Sequence, residues 1–552
     1  MATNILSIGQ SALAAAQVGL NTTGHNIANA ATPGYHRQVV VQSAAMAQDF
    51  GFGFLGQGTE ISTVKRVYSE FLGSQLRSAQ TTKSALDSYS TEIKQIDNML
   101  ADPASGLSPA LQQFFGGMQE LATNPASMPA RQVALASADS LAARFQSMAG
   151  RLQEIGQGIN SQIATSVDVI NTYAVQIAQL NDAIGRAQGP TGQPPNDLMD
   201  QRDQLILDLN KEIKTTVVKQ GDGGYNVFIG NGQPLVVGVT TSLLSTAASP
   251  TDPQKIEVAY QTPAGAVLVG EASLAGGKLG GLVKFRSQTL EPTQAALDTL
   301  AIGLATTFNN QHRLGQDLSG NAGGDFFTVP SAASGASGFS VAITDPRLIA
   351  AAAPIRTAAA SSNTGSVVIS AGTVNAPPPP NANLQQPVTI TFTSATTFDV
   401  SGAGTGNPTG LAYTSGATLT YNGWSAMLSG SPVAGDSFSV SANTGGVGDS
   451  RNALLLGALQ TANVMSGGTT TYQGAYSQLV SQIGNKTREL DVTSSAAGKL
   501  LSEATLSLQA EGGVNLDEEA TNLLRYQQAY QAAGKVMQIA SQMFDILLSL
   551  GR

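Results

Sequence analysis

The stretch from Val514 to Arg552 constrains the fold more than any other part of the chain. It reads VNLDEEATNLLRYQQAYQAAGKVMQIASQMFDILLSLGR. Asn515 suits an N-cap, and Glu518 stands where a capping box needs its acid. Asp517, Glu518 and Glu519 place negative charge in the first turn, where the helix dipole favours it. Apolar residues follow at steps that alternate between three and four. They are Leu516, Ala520, Leu523, Leu524, Tyr530, Ala533, Met537, Ala540, Phe544 and Leu547, with a gap at Gln527. That is the seam of a coiled coil. Gly551 supplies a stop, so the helix has about 36 residues and is ~54 Å long. From Tyr526 to Gly551 the only charges are Lys535 and Asp545. A helix this poor in charge needs a partner.

The opposite end offers one. Residues 1–31 contain no Asp, Glu, Lys or Arg. Leu6, Leu13, Leu20 and Ile27 recur every seven residues, and Gly9, Ala16, Thr23 and Ala30 follow each by three. A row of large side chains beside a row of small ones admits a close helix neighbour. Gly9, Gly19 and Gly24 each cost about 1 kcal/mol against alanine, so this helix is weak alone. The heptads predict that the two ends pair. Leu6, Leu13, Leu20, Ile27, Leu516, Leu523, Tyr530, Met537, Phe544 and Leu547 are the expected assembly interface. One pair of nearly uncharged helices buries too little surface to offset the backbone entropy of ordering it. Residues 1–60 and 512–552 are therefore expected to be disordered in the free monomer and to order against neighbouring copies.

Between the ends the pattern changes twice. Pro33-Gly34 is a turn signal, and extended runs follow at Arg37–Val41 and Ile61–Val67. Leu72, Ala79, Leu86, Ile93 and Leu100 mark a second heptad helix, closed by Asp102-Pro103. A short helix opens at Ser108-Pro109. A very long one runs from about Ala130 to Arg186, with Ile163, Ile170, Ile177 and Ile184 at strict sevens and Gly150, Gly156 and Gly158 as points where it bends or splits. Asn196 is expected to cap a helix reaching Lys211. From Ile213 to Val269 the period is that of strands, with Asn231-Gly232 as a hairpin turn. Helix returns over Leu282–His312, kinked at Pro292. Residues 326–445 read as short strands and turns, and Trp424 belongs to a β core. Helices near Arg451 and over Thr471–Gln509 lead back to the terminal stretch.

The fold class is α+β, elongated and multidomain. It has paired terminal coiled-coil helices, a helical inner domain, and β-rich outer domains inserted in the middle of the chain. The expected domains are 1–60 with 512–552 as a terminal helical core; 61–212 with 282–325 and 446–511 as a helical bundle; 213–281 as a β-rich domain; and 326–445 as an outer β-rich domain or insertion.

Little here points to catalysis. The 552 residues include no cysteine, which excludes disulfides, thiolate nucleophiles and zinc–thiolate sites. The net charge is −9 and no basic stripe is present, which argues against a nucleic-acid partner. No run of 18 apolar residues appears, so membrane insertion is not expected. The first residues lack the basic flank of a cleaved secretory signal. Gly51, Gly53 and Gly56 match a dinucleotide fingerprint in spacing, but no helix start follows, and a loop is the better reading. Asp317, Ser319, Asn321 and Asp325 offer oxygens without a calcium loop's spacing and read as a turn. Of the histidines, His25 and His36 flank the first turn and His312 is remote. Asp200 and Asp203 beside Arg202 read as a solvated helix face. No catalytic residue, metal ligand or cofactor is expected.

Two blocks at the ends carry a resemblance. Ser11–Gln17 with Asn26, Asn29, Pro33, Gly34, Tyr35, His36, Arg37 and Gln38 resembles the N-terminal signature of the bacterial flagellar rod, hook and hook-associated proteins. Gly513–Ala520 with Arg525–Tyr530 resembles their C-terminal signature. Asn196–Leu205, Gly280–Gln288, Asn309–His312, Gly323–Phe327 and Ile483–Thr487 resemble the junction members of that family, which sit between hook and filament. Residues 331–445 carry no motif of the family. The resemblance implies a structural, non-enzymatic role in the extracellular flagellum, as a ring of copies of this chain. It implies contact with the flagellar hook protein and with the second hook-associated junction protein. It implies export unfolded through the flagellar type III channel, without a cleaved signal peptide. It further implies a cytoplasmic export chaperone holding the C-terminal segment, with Leu523, Tyr530 and Phe544 as the residues it grips. Another axial component of the flagellum, or a secreted adhesin with coiled-coil ends, remains the alternative.

Overall fold

A computed structural model describes residues 2–49, 51, 53–104, 106–190, 192–221, 223–262, 265–404 and 406–550; the side chains of residues 2–4, 547, 548 and 550 are outside the described set. Its α-helices, in chain order, are α1 (Ala2–Asn29), α2 (Glu70–Ala101), α3 (Leu107–Thr123), α4 (Met128–Gln188), α5 (Asn196–Glu212), α6 (Gly277–Phe285), α7 (Glu291–His312), α8 (Arg451–Ala458), α9 (Tyr472–Gly512) and α10 (Leu516–Leu550). The chain divides into two compact units. The first holds residues 1–92, 156–286 and 488–552, and the second 93–155 and 287–487.

In the first unit, the heptad isoleucines of α4 do what their spacing predicts. Ile163, Ile170, Ile177 and Ile184 are all fully buried. The glycines of α4 do not split it, and it runs unbroken for 61 residues. Asn181 on the same helix ties it to the β part of the unit. Its Nδ2 donates to the carbonyls of Tyr225 and Gly238, each at 2.8 Å, and its Oδ1 accepts from Arg202 Nη1 at 3.0 Å and Tyr225 N at 3.1 Å. The β part has two sheets. One joins strands 215–219, 225–229, 233–237 and 240–241, and the other joins 244–248, 256–262 and 265–268, all antiparallel. The Asn231-Gly232 turn lies where the sequence places it, with Gly232 at φ +101°, a conformation that costs glycine little. A separate antiparallel ribbon pairs Gln38–Ala44 with Thr59–Arg66, with an irregularity between Val41 and Gln42.

The second unit is built around aromatic rings. Phe308 lies 5.2 Å from Phe114 and 4.9 Å from Phe326, and Phe339 lies 4.7 Å from Phe327 and 4.8 Å from Phe145, in centroid distances that aromatic pairs favour. Asn309 holds Phe326 and Phe327 in place. Its Oδ1 accepts from both backbone N–H groups at 3.0 and 2.9 Å, and its Nδ2 donates to Phe327 O at 2.7 Å. Where the sequence leads one to expect a kink at Pro292, a π-helical turn, Arg286–Leu290, stands directly before α7. Proline cannot donate the intrahelical hydrogen bond, and the widened turn absorbs the defect.

Residues 355–442 of this unit form a β body. A five-stranded sheet has the order 355–359, 437–442, 388–392, 397–401 and 411–412. Strand 424–429 pairs with 368–369, 373–374 and 418–421. Val388, Ile390 and Phe392 alternate inward with the period of two expected of a half-buried strand. They pack with Phe398, Val440 and a fully buried Trp424. The alternation within 326–445 marks strands at 367–370, 388–393, 396–400, 418–421 and 437–440, and does not mark 355–359 or 424–429. The second begins right after Asn422-Gly423, whose turn signal masks it.

The dinucleotide-like glycines lie at a hairpin of strands 48–49 and 54–55, with Gly51 at φ +80°. Phe50 and Phe52 fall outside the described residues. Asp317 Oδ1 accepts from Ser319 N and Asn321 N, each at 2.8 Å, which makes it a turn-closing carboxylate.

Candidate functional site

In the first unit α1 and α10 pack antiparallel through small residues. A Cβ built on Gly9 would lie 2.9 Å from Met537 Sδ, and one on Gly19 would lie 2.5 Å from the Tyr526 ring. Met537 can yield at Gly9, because its thioether is the end of a flexible side chain, whereas the rigid Tyr526 ring leaves Gly19 no room for a Cβ in this arrangement. Ala15, Ala16 and Thr23 on α1 and Ala533 and Ala540 on α10 are buried with them. The small row thus forms the intrachain contact, and the large row flanks it. Leu6, Leu13 and Leu20 are half-buried, and Ile27 is exposed.

The outer face of α10 is different. Leu523 is 36% exposed, Tyr530 40% and Phe544 41%. Leu516, Leu524, Val536, Ile539, Met543 and Ile546 are exposed beside them, while Met537 is half-buried. The Leu547 side chain is outside the described set. Of the stripe read from sequence, Ala533, Met537 and Ala540 face α1, and most of the large residues face away from it.

Where the two helices leave the pair, the N-terminal signature folds into a polar joint. Asn26 uses all its hydrogen-bonding capacity. Its Nδ2 donates to Gln38 O at 2.9 Å and to Glu519 Oε2 at 3.1 Å, and its Oδ1 accepts from Tyr35 Oη at 2.7 Å and Gln38 N at 2.9 Å. Asn29 donates to His25 O at 3.0 Å and accepts from Thr32 Oγ1 at 3.2 Å, which closes the turn that carries Pro33 and Gly34. Gly34 has φ +77°, and a Cβ there would meet Gln204 at 2.8 Å. Arg37 donates through Nε to Glu519 Oε1 at 2.7 Å, pairs with Glu518 at 2.9 Å, and donates its backbone N–H to Gly512 O at 2.8 Å. Burial raises the Tyr35 phenol above its usual range, reinforced by the charges of Asp197, Asp200 and Glu519, so it stays a neutral donor.

Two expectations are corrected here. Asn515 does cap α10, accepting from Asp517 N at 3.0 Å and Glu518 N at 3.4 Å. Glu518 turns to Arg37, however, since a full charge across the joint attracts it more strongly than a backbone amide does. Asn196 is inside α5, with Pro195 as the cap residue, and its amide donates to Val64 O at 2.8 Å and Gln38 Oε1 at 3.3 Å.

A third correction is larger. Asp200, Arg202 and Asp203 do not form a solvated face; all are buried within the unit. Asp200 accepts from His36 N at 2.9 Å and Arg66 Nη1 at 2.7 Å, and its Oδ1 lies 2.8 Å from His36 Nδ1. Arg66 also contacts Asp203 at 2.6 Å. Arg202 stacks over the Tyr225 ring at 3.5 Å and donates to Gly223 O at 2.8 Å. Burial pushes the Asp203 carboxyl up against the pull of Arg66 and Arg202. Buried charges survive only when paired, and the partners here come from distant parts of the chain. His36 is a central member of this cluster that the sequence reading passes over. Its signal was position alone, two residues after the Gly34 turn. Among the described residues, no group of three or more His, Asp and Glu is arranged to hold a metal ion, and no helix is long and apolar enough to cross a membrane.

An apolar helix face left exposed, a close small-residue seam and a joint made from both chain ends set this region apart. Residues 6–36 match the family model of flagella basal body rod proteins, and residues 511–550 match the C-terminal model of the flagellar basal body rod FlgEFG proteins. Residues 93–327 match the helical domain of the flagellar hook-associated protein FlgK. The class is therefore a structural axial component of the bacterial flagellum. Flagellar hook-associated protein 1 of Escherichia coli (strain K12) is 34% identical over 99% of this chain and 100% of its own. That of Salmonella typhimurium is 36% identical over the same shares, and that of Bacillus subtilis 24% identical over 99% and 97%. The solved structure of the flagellar hook junction protein FlgK from Burkholderia pseudomallei superposes with a TM-score of 0.72 at 31% identity, covering 79% of this chain and 99% of that one. The chain belongs to the flagellar hook-associated protein 1 family.

Proposed function

We propose that copies of this chain form the junction ring between hook and filament, held together through their terminal helices. The observation that carries this reading is the outer face of α10, where Leu523, Tyr530 and Phe544 stay exposed after α1 has packed. A continuous apolar face of this length is a cost in water and a gain in a polymer. Leu6, Leu13, Leu20 and Ile27 supply the matching flank on α1. The hook protein lies on one side of the ring and the second hook-associated junction protein on the other. Residues 1–60 with 512–552 act as the terminal core domain. Residues 61–212, 282–325 and 446–511 act as the helical bundle, and 213–281 and 326–445 as β-rich domains facing outward. The chain travels unfolded through the flagellar type III channel, and a cytoplasmic chaperone covers Leu523, Tyr530 and Phe544 until export.

Deleting the gene tests the reading. The expected phenotype is a finished hook without an attached filament, with flagellin monomers in the medium. Normal filaments in the deletion strain would overturn it.

A further inference from the structure

We infer that Glu519 with Asn26 and Arg37, together with the Gly19 hollow that receives Tyr526, locks the register of α1 against α10. The heptads alone leave that register open. Leu6, Leu13, Leu20 and Ile27 repeat at sevens, and so do Leu516, Leu523, Tyr530, Met537 and Phe544. Gly9, Ala16 and Thr23 repeat in step with them. A slide of one heptad, about 10 Å along the axis, therefore sets each row against the same row of the partner helix once more. Something outside the repeat has to choose.

Two features do. Gly9 faces Met537, Gly19 faces Tyr526 and Asn26 faces Glu519. In this register the Glu519 carboxylate is only 2% exposed and both its oxygens are satisfied, by Asn26 Nδ2 at 3.1 Å and Arg37 Nε at 2.7 Å. Slid one heptad one way, Glu519 meets Gly19, which offers no donor, and Arg37 is left behind. Slid the other way, Glu519 passes the end of α1 and Asn26 meets the Tyr526 ring. Each slide strands a buried charge or amide, and the penalty far exceeds that of a lost neutral hydrogen bond. The Tyr526 ring adds a steric key, since a Cβ on Gly19 would lie 2.5 Å from it. One buried polar residue fixing coiled-coil register is a well-attested use of such a group. The lock matters because it keeps the exposed face of α10 in phase with the flank of α1. In that respect it rests on the assembly reading above.

The chain has no cysteine, so introduced pairs report cleanly. In the assembled flagellar fraction, Gly9→Cys with Met537→Cys reports the native register. Gly9→Cys with Tyr530→Cys or with Phe544→Cys reports a slide in either direction. A disulfide tolerates Cα separations only up to about 7 Å, less than the slide. In the parent, the native pair is expected to cross-link within the chain at least roughly tenfold more than either shifted pair. Glu519→Leu with Tyr526→Ala is expected to bring a shifted pair to within about threefold of the native one. Glu519→Gln, which keeps one acceptor but sets a donor against a donor at the other, is expected to raise the shifted product less than Glu519→Leu does. Native-only cross-linking in the leucine–alanine variant overturns the lock, as does shifted cross-linking in the parent. If the double variant does not assemble, Glu519→Leu alone decides: a rise of about threefold or more in shifted product supports the lock, and an unchanged pattern overturns it. A parent chain missing from the flagellar fraction counts against the assembly reading; the exchanging ends of the soluble chain still sample the pair, so the ratio of native to shifted product trapped there then decides the lock.

Discussion

Helices α4 and α10 share a period and differ in fate. Ile163, Ile170, Ile177 and Ile184 on α4 disappear completely into their own unit. On α10, Leu516, Leu523, Tyr530 and Phe544 remain exposed, and of the row at the same spacing Met537 is half-buried against α1. The repeat of seven says that a helix has a seam. It does not say whether the covering surface belongs to the same molecule. The composition beside the seam does separate them. Helix α4 is followed by strands that return to cover it, and α10 can draw only on a glycine-bearing α1 whose small row occupies one narrow face.

That contrast can be broken or sharpened by measurement, taken in order of expected effect on the soluble chain. Ile170→Asp buries a charge in place of a fully enclosed side chain and should cost more than about 4 kcal/mol, enough to unfold the first unit in a urea titration. A variant that keeps its midpoint would mean α4 is not a core helix. Arg66→Ala leaves Asp203 buried without its nearest cation and should cost about 3–5 kcal/mol. Amide exchange at residues 31–38 should accelerate in the same variant, because Asp200 loses the contact that orients it toward His36.

His312 belongs to the second unit and gives a pH test. Its Nδ1 lies 2.8 Å from Gly324 O, and its Nε2 accepts from Ala350 N at 2.9 Å, a pattern that requires the neutral ring. Burial lowers it to about 4 from its ordinary 6.5, against weaker opposing pulls from Gly324, Asp325 and Asp317. The folded state therefore binds this proton less readily than the unfolded one. The stabilisation is fully present above pH 6.5 and is lost as the pH falls toward 4. It amounts to about 3 kcal/mol across that window, read as the difference in urea stability between parent and His312→Gln at each pH. A pH-independent difference would remove this assignment.

The smallest expected change in stability accompanies the largest change in assembly. Leu523→Asp with Phe544→Asp should change the unfolding free energy of the soluble chain, from a urea titration, by less than about 0.5 kcal/mol, since both side chains are already exposed. The same variant should be absent from flagella, and its chaperone binding should weaken. Normal incorporation would remove the outer face of α10 from the mechanism. Hydrogen exchange on the soluble monomer completes the comparison: α4 amides should be protected and those of α1 and α10 should exchange rapidly. Equal protection would show that the terminal pair is stable without neighbours.

The elements legible in the sequence are those set by local chemistry. The heptads of α4 and α10, the Asn515 cap, the Asn231-Gly232 turn and the break before Pro292 all follow from residues within one or two turns of each other. The joint was half legible. Its signature residues stood out, but what they do depends on partners far along the chain. His36 meets Asp200 across 164 residues, and Arg37 meets Glu519 across 482. No periodicity encodes such pairs. Asp200 and Asp203 looked solvent-facing because charged residues on a helix usually are, and the rule fails where Arg66 arrives from a strand. The β body was legible where strands alternate openly, and was missed where turn residues crowd a strand's start.

The hydrogen bond from Arg37 N to Gly512 O has a mechanical consequence. The chain leaves the terminal helix pair after Asn29 and returns to it at Leu516, and its two covalent connections run side by side where Arg37 meets Gly512. One strand of backbone is a swivel, because its single bonds rotate almost freely. Two strands clamped to each other by Arg37, Glu518 and Glu519 cannot turn independently, so the joint resists twist as well as tension. If the terminal pair forms the core of the proposed ring, such a doubled connection carries torque between that core and the rest of the chain better than one linker would.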